Sequence, residues 1–238
     1  MNCKTKGIVI GHTKHTDSML ILHAFTEELG WISFFHRVGG KDKSRALFQA
    51  MTVLDLDFEF KENKDLQQGI KLSLNTAFPN IYNDVTRMAV AMFMAEVLRK
   101  SLHKHYVNQQ LFHSCVETLD ALNRNKDFSI LPISFMLELV KAMGFEIILP
   151  EIAGQYRFDP EEGCFTTAQS KTLAQLDTAS SQSLIELIES PDTANYQKSV
   201  PASHRKSILR VLLVFLKSHL GIQQEIKSHE VLEVVLHT

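Results

Sequence analysis

The chain has 238 residues, 45% of them hydrophobic and 22% charged, with a formal net charge of −2. That length buries a core without covalent staples, and the near-neutral balance excludes a surface that coats nucleic acid all over, because sequence-independent binding needs clustered Lys and Arg to displace counterions. Cys3, Cys115 and Cys164 are odd in number, far apart and free of any CxxC, which excludes a disulfide framework and a thiolate zinc site and fits a reducing cytoplasm. Neither an export signal nor an anchor is expected, since no run approaches the roughly 18 apolar residues of a membrane span.

From Lys4 to about Asn75 the apolar residues come in short blocks: Gly7 to Ile10, Met19 to Phe25, Trp31 to Phe35, Met51 to Phe60 and Ile70 to Leu74. Several alternate, as in Thr52-Val53-Leu54-Asp55-Leu56-Asp57-Phe58-Glu59-Phe60, the period of half-buried strands. Thr26-Glu27-Glu28-Leu29-Gly30 reads as a tight hairpin with Gly30 free to take positive φ. Five strands in so short a stretch predict a small OB-type β-barrel, a fold whose groove and long loops suit single-stranded nucleic acid. The connection after the third block, Arg37-Val38-Gly39-Gly40-Lys41-Asp42-Lys43-Ser44-Arg45, holds four cations against one acid. A basic, glycine-containing loop on a small barrel points to phosphate contact.

After Pro79 the spacing turns helical. Val85, Met88, Ala89, Met92, Phe93, Ala95, Glu96 and Leu98 recur near 3.6 residues within Ile81 to Leu102, and Gln109 to Leu122 and Phe128 to Met143 behave alike, with Gly144 as a terminator. Tyr156 to Thr166 reads as two very short strands about a turn. Residues 170 to 203, interrupted by Pro191 and Pro201, read as short helices and loops, and Ser203 to Leu220 as a mostly buried helix stopping at Gly221. The expected fold class is therefore α+β: residues 1–80 form the barrel, and residues 81–238 an α-helical bundle with a short β-turn insertion near 150–166.

Gly7-Ile8-Val9-Ile10, His15-Thr16-Asp17-Ser18-Met19-Leu20-Ile21-Leu22, Phe25-Thr26-Glu27-Glu28-Leu29-Gly30, Gly40 and Lys43-Ser44 resemble the N-terminal domain of the RecO family of bacterial recombination mediators. Gln110-Leu111-Phe112, Phe135-Met136-Leu137-Glu138-Leu139 closing at Gly144-Phe145, and Phe158-Asp159-Pro160-Glu161-Glu162-Gly163 resemble its helical domain. The resemblance covers most of the chain. It implies an OB domain followed by helices, binding to single- and double-stranded DNA, strand annealing, a nucleoid-associated cytoplasmic location, and partnership with RecR and single-stranded DNA-binding protein in loading RecA. It also implies that the helical domain takes the acidic, aromatic-ended tail of single-stranded DNA-binding protein. Many members carry a four-cysteine zinc site near where Pro150 to Cys164 falls, but this stretch offers only Cys164. A tetrahedral site needs four ligands, so no metal is expected, packing and turn chemistry must hold the segment, and Cys164 reads as a small buried apolar residue.

The candidate DNA-binding residues are Arg37, Lys41, Lys43 and Arg45 for phosphates, Gly39 and Gly40 for close backbone approach, and Lys6 and Lys14, with Lys4, as an extension if they share the face. Bases stack on exposed rings, and alternation sets Phe34 with His36 on one face and Trp31 with Phe35 on the other. The first pair is taken as the stacking candidate. Two further basic groups are Arg99 to His105, which suit a helix C-terminus, and His204-Arg205-Lys206 with Arg210, which oppose the dipole at a helix start.

Catalysis is not expected. His12 with His15 and His103 with His105 lack metal-ligand spacing, there is no GxxxxGK[ST], GxSxG or GxGxxG, and Cys115 lies on an apolar stripe with Leu111, Leu119 and Leu122. No cofactor, small-molecule substrate or membrane is implied. Two readings remain: a non-catalytic mediator that binds and anneals DNA, or a protein-interaction adaptor whose barrel docks a partner and whose DNA affinity is incidental, which the slight net acidity favours.

Overall fold

Strand β1 (Asn2–Thr16) organises the N-terminal sheet. Its first half alternates Cys3, Thr5 and Gly7 inward with Lys4 and Lys6 outward, and pairs antiparallel with β4 (Val53–Glu59) from Asn2↔Glu59 to Ile8↔Val53. Its second half pairs instead with β2 (Met19–Thr26), from Gly7↔Thr26 to Thr16↔Met19. Beyond Ile8, β1 therefore has β2 as its ladder partner but no longer β4, and residues 11–23 form a two-stranded arm flanked by β3 (Gly30–Arg37). The computed structural model describes residues 1–37, 43–152, 154–167, 174–189, 200–222 and 224–236, with the side chains of 43–45 and 233–236 outside the description.

A short 3-10 turn, Lys43–Phe48, precedes β4, and β5 (Leu66–Gln67) and β6 (Lys71–Thr76) complete a six-stranded sheet in the order β5-β3-β2-β1-β4-β6. Neighbours are antiparallel except β3 and β5, and among the described residues β5 and β6 remain the sheet's two edges. This is the expected OB-type architecture with one strand more than the five expected and, among the described residues, with the barrel left open between β5 and β6. The extra strand, β5, has two residues, too few for any periodicity to register, and is secured by Gln67, whose side-chain amide bonds the Lys61 N–H and the Lys61 and Lys64 carbonyls.

The inner face carries Val9, Leu22, Ala24, Ile32, Phe34, Leu54, Leu56 and Phe58, all buried, with Phe34 and Phe58 edge to face at 4.8 Å. At about 25 cal/mol per Å² of apolar surface, a cluster of this kind is the main stabilising term of the sheet. The expected hairpin forms, with Gly30 at φ 68° and the Thr26 hydroxyl donating to the Gly30 carbonyl at 2.7 Å. A Cβ on Gly30 would lie 2.3 Å from the Tyr106 carbonyl oxygen, so this position is closed to side chains by both conformation and space.

The helices α1 (Pro79–Asn83), α2 (Val85–Ser101) and α3 (Gln109–Arg124) belong with the sheet in one compact unit, Met1–Arg124. They cover the proximal outer face, where Phe25 and Phe112 rings lie 5.9 Å apart. The single helix expected over 81–102 is broken at Asp84, which leaves helical backbone angles and accepts from the Thr86 and Arg87 N–H as the N-cap of α2. Along α2 the buried set is Ala89, Val90, Ala91, Phe93, Met94, Ala95, Val97, Leu98 and Ser101, whereas Val85 and Met92 are exposed. Packing against β1, α1 and α3 buries more than one stripe, which blurs the amphipathic period.

The second compact unit, Asn125–Thr238, contains α4 (Leu131–Ala142), β7 (Arg157–Asp159), β8 (Cys164–Thr166), α5 (Thr178–Glu189), α6 (Ala202–Leu220) and α7 (Ser228–Leu236). The change from alternation to helical spacing falls near residue 80, while compactness groups the first three helices with the barrel. The 150–166 segment is held by turn chemistry: the Asp159 carboxylate accepts from the Glu161 N–H, Gly163 sits at φ 69°, and the Ile148 N–H donates to the Gly163 carbonyl. Phe158, fully buried, packs on Phe165 and Phe215. Cys164 is half-buried rather than buried, because the two-stranded ribbon is too short to cover both its faces.

Candidate nucleic-acid interface

Strand alternation sorts the arm into two faces. On the concave face His12 stands opposite Leu22 and Lys14 opposite Leu20, and Leu20 in turn stands opposite His36 of β3. Leu22 still belongs to the barrel core, while His12, Lys14, Leu20 and His36 lie at or past its end, toward the open mouth. His36 packs edge-on against Phe48 at 5.0 Å. A hollow of about 320 Å³ is lined by His12, Lys14, Thr16, Asp17, Met19, Leu20 and Phe48. Arg37, exposed at the end of β3, stands opposite Met19 at the same end of the arm and leads directly into residues 38–42.

Gly39, Gly40 and Lys41 lie outside the described residues; the backbone of Lys43 and Arg45 is in the 3-10 turn that ends at Phe48, beside the hollow. Thus Lys14, Arg37 and His36 share one end of the barrel with the turn that carries Lys43 and Arg45. Lys14 is paired with Asp17 at 2.6 Å, but both groups are strongly exposed, and such surface pairs contribute only about 0–1 kcal/mol. Lys14 can therefore exchange this partner for a phosphate at little cost.

Lys6 does not join them. It lies on the half of β1 paired with β4, about 26 Å along the strand from Lys14 at 3.3 Å per residue. Its surroundings are Lys4, Lys71, Glu27, Glu28, Asp55 and Asp57, so acids outnumber cations there. The stacking candidate Phe34 also requires correction: its ring is fully buried against Phe58, because the inward face of β3 runs into the barrel core before it reaches the mouth at His36.

The convex face holds the rings that alternation set aside. Phe35 is half-buried and meets the exposed His15 ring edge-on at 5.2 Å, and Trp31 lies edge-on to His23 at 6.0 Å. His23 Nδ1 is 2.9 Å from the Ser33 hydroxyl, and its Nε2 is 3.3 Å from that of Thr13. Burial, then the Arg99, His12 and Lys104 charges, hold its pKa below the ordinary imidazole value. Arg99 and Lys104 come from the second basic group. Within it Lys100 pairs with Glu96 at 2.6 Å and Lys104 with Asp65 at 3.0 Å. In the third group His204 Nδ1 lies 3.0 Å from the Ser183 hydroxyl, and Arg205 donates to the Val200 carbonyl. His12, His15, Phe35 and Phe48 were not picked out for this role from the sequence; an alternation argument extended past Phe34 into the loop on one side and the β1–β2 turn on the other finds them.

Burial pushes the Cys115 thiol up to about 12, which keeps it protonated and unreactive. Among the described residues no group of three or more His, Cys, Asp or Glu is placed to hold a metal, and no described helix is long and apolar enough to cross a membrane.

Residues 1–75 match the family described as Recombination protein O N terminal, and residues 82–229 that described as Recombination protein O C terminal. The protein named DNA repair protein RecO of Flavobacterium johnsoniae is 29% identical over 99% of both chains, and that of Flavobacterium psychrophilum 27% over the same shares. The one from an Exiguobacterium strain is 23% identical over 98% of this chain and 96% of its own. Barrel, helices and these likenesses together define a protein of the DNA repair and recombination class. The chain belongs to the RecO family.

Proposed function

We propose that the chain is a non-catalytic recombination mediator that binds single- and double-stranded DNA at the distal end of its barrel, promotes annealing and helps load RecA onto strands coated with single-stranded DNA-binding protein. The observation that carries this reading is the placement of Lys14, His12 and His36 on the concave side of the arm, with Arg37 at the same end of the strands and the turn bearing Lys43 and Arg45 beside them. Lys14 borders a concave surface there, while Glu27, Glu28, Asp55 and Asp57 cluster at the opposite end of β1. Such an arrangement neutralises backbone phosphates without reading bases, which is what a protein that must accept any sequence requires. RecR and the tail of single-stranded DNA-binding protein are the partners that family membership supports.

Fluorescence anisotropy with a labelled single-stranded oligonucleotide across a salt series tests the reading. The wild type should bind with a log–log salt slope of about −3, as expected for four cations on a single strand. Replacing Arg37, Lys41, Lys43 and Arg45 by alanine should remove that binding and annealing. Annealing that survives the four substitutions favours the adaptor reading instead, in which the barrel docks a protein partner.

A further inference from the structure

We propose that the convex face of the arm holds a second phosphate subsite, for a phosphodiester of the bound strand, built from Arg99, Thr13 and His23 and strengthened when His23 takes up a proton. The inference rests on the DNA-binding reading above and adds to it a site and its regulation.

Three features of the fold assemble the subsite. Gly11 stands directly opposite His23 in the β1–β2 ladder, and Arg99 lies against it: a Cβ there would be in van der Waals contact with Arg99, 3.4 Å from Nη1 and 3.5 Å from Cδ. The exposed guanidinium at the C-terminal turn of α2 is thereby laid across the sheet beside the imidazole. His23 bridges two hydroxyls, Ser33 at 2.9 Å, which is buried, and Thr13 at 3.3 Å, which is exposed. Other groups acting on the ring are His12 of β1 and Lys104, which follows α2 and forms a bridge to Trp31 of β3. Asp65, ahead of β5, offsets Lys104 at 3.0 Å.

Hydroxyl chemistry supplies the switch. In the neutral tautomer with its proton on Nδ1, the ring donates to Ser33 and accepts the Thr13 O–H at Nε2. Protonation turns Nε2 into a donor, so the Thr13 oxygen accepts and its O–H is released toward solvent. One proton thus adds a cation beside Arg99 and frees a donor on the same face, and both changes suit an oxyanion. Without an anion the ring resists that proton, being half-buried among cations. A bound phosphate compensates the charge, so binding and proton uptake are linked, and each favours the other by the same factor. Affinity therefore rises as pH falls through and below the ordinary imidazole range.

The full chain with labelled histidines tests this by NMR titration of His23, alone, with a short oligothymidylate, and with inorganic phosphate at equal phosphate concentration. The oligonucleotide should raise the His23 pKa by about one unit, equivalent to about tenfold tighter binding on acidification, and Arg99→Ala should abolish the rise. The affinity profile is also compared between wild type and His23→Asn, which leaves the other histidines of the arm in place. The wild type should gain about tenfold more than the variant. An oligonucleotide that binds while His23 keeps its pKa overturns the subsite and leaves the mediator reading standing. No oligonucleotide binding at all overturns both, and an equal shift from inorganic phosphate overturns the assignment to a strand.

Discussion

The two ends of β1 both carry basic side chains, Lys4 and Lys6 at one and His12, Lys14 and His15 at the other, yet differ in what surrounds them. At the proximal end Lys4 and Lys6 face a neighbouring strand that presents Asp55 and Asp57, with Lys4 3.9 Å from Asp57, and Glu27 and Glu28 close the patch. On the arm β4 has fallen away, Asp17 is the acid lining the mouth, and rings stand among the cations. The contrast teaches that the strand a basic residue is paired with decides whether acids already surround it. Lysines opposite aspartates on a ladder are cross-strand pairs and stabilise the sheet, while Lys14 stands opposite Leu20 of β2 and has only the exposed Asp17 as an ion partner.

Adjacent aromatics on β3 sharpen this contrast most. Phe34→Ala, which empties part of the core, should lower stability by about 3–5 kcal/mol in a urea melt. Phe35→Ala, one residue on and facing out, should leave the melt nearly unchanged and weaken oligonucleotide binding by about 1–3 kcal/mol. If Phe35→Ala instead unfolds the chain and binding per folded molecule is unaltered, the convex face is structural. A smaller effect is expected at Gly30, where alanine must adopt a left-handed backbone and displace the Tyr106 carbonyl. Strain alone should cost about 1–3 kcal/mol in the same melt, and a loss beyond that would show that the loop after α2 is seated on the β3 turn.

Much of the fold was legible in the residues. Alternation through Thr52 to Phe60 marked β4, Gly30 marked its hairpin, and Gly144 and Gly221 marked helix ends, with Gly221 left-handed at φ 63° beyond α6. What escaped were features set by tertiary contact or by very short spans: β5, fixed by one glutamine side chain, and the break at Asp84, a capping residue inside an unbroken apolar period. The site was legible in kind but not in membership. Charge in Arg37 to Arg45 and the aromatic run before it were visible, yet alternation alone could not tell that the inward face ends at Phe34. Nor could it show that Lys6 and Lys14 lie on opposite sides of a change of partner at Gly7 to Ile8, which only strand pairing reveals.

The most direct measurement is the salt dependence of oligonucleotide binding for two single charge reversals on the same strand, Lys14→Glu and Lys6→Glu. Losing one phosphate contact at the arm should weaken binding and flatten the single-strand salt slope by about 0.7 for Lys14→Glu, while Lys6→Glu leaves slope and affinity as in the wild type. A flattened slope for Lys6→Glu with an unchanged one for Lys14→Glu would contradict the account and move the DNA to the proximal end of the barrel.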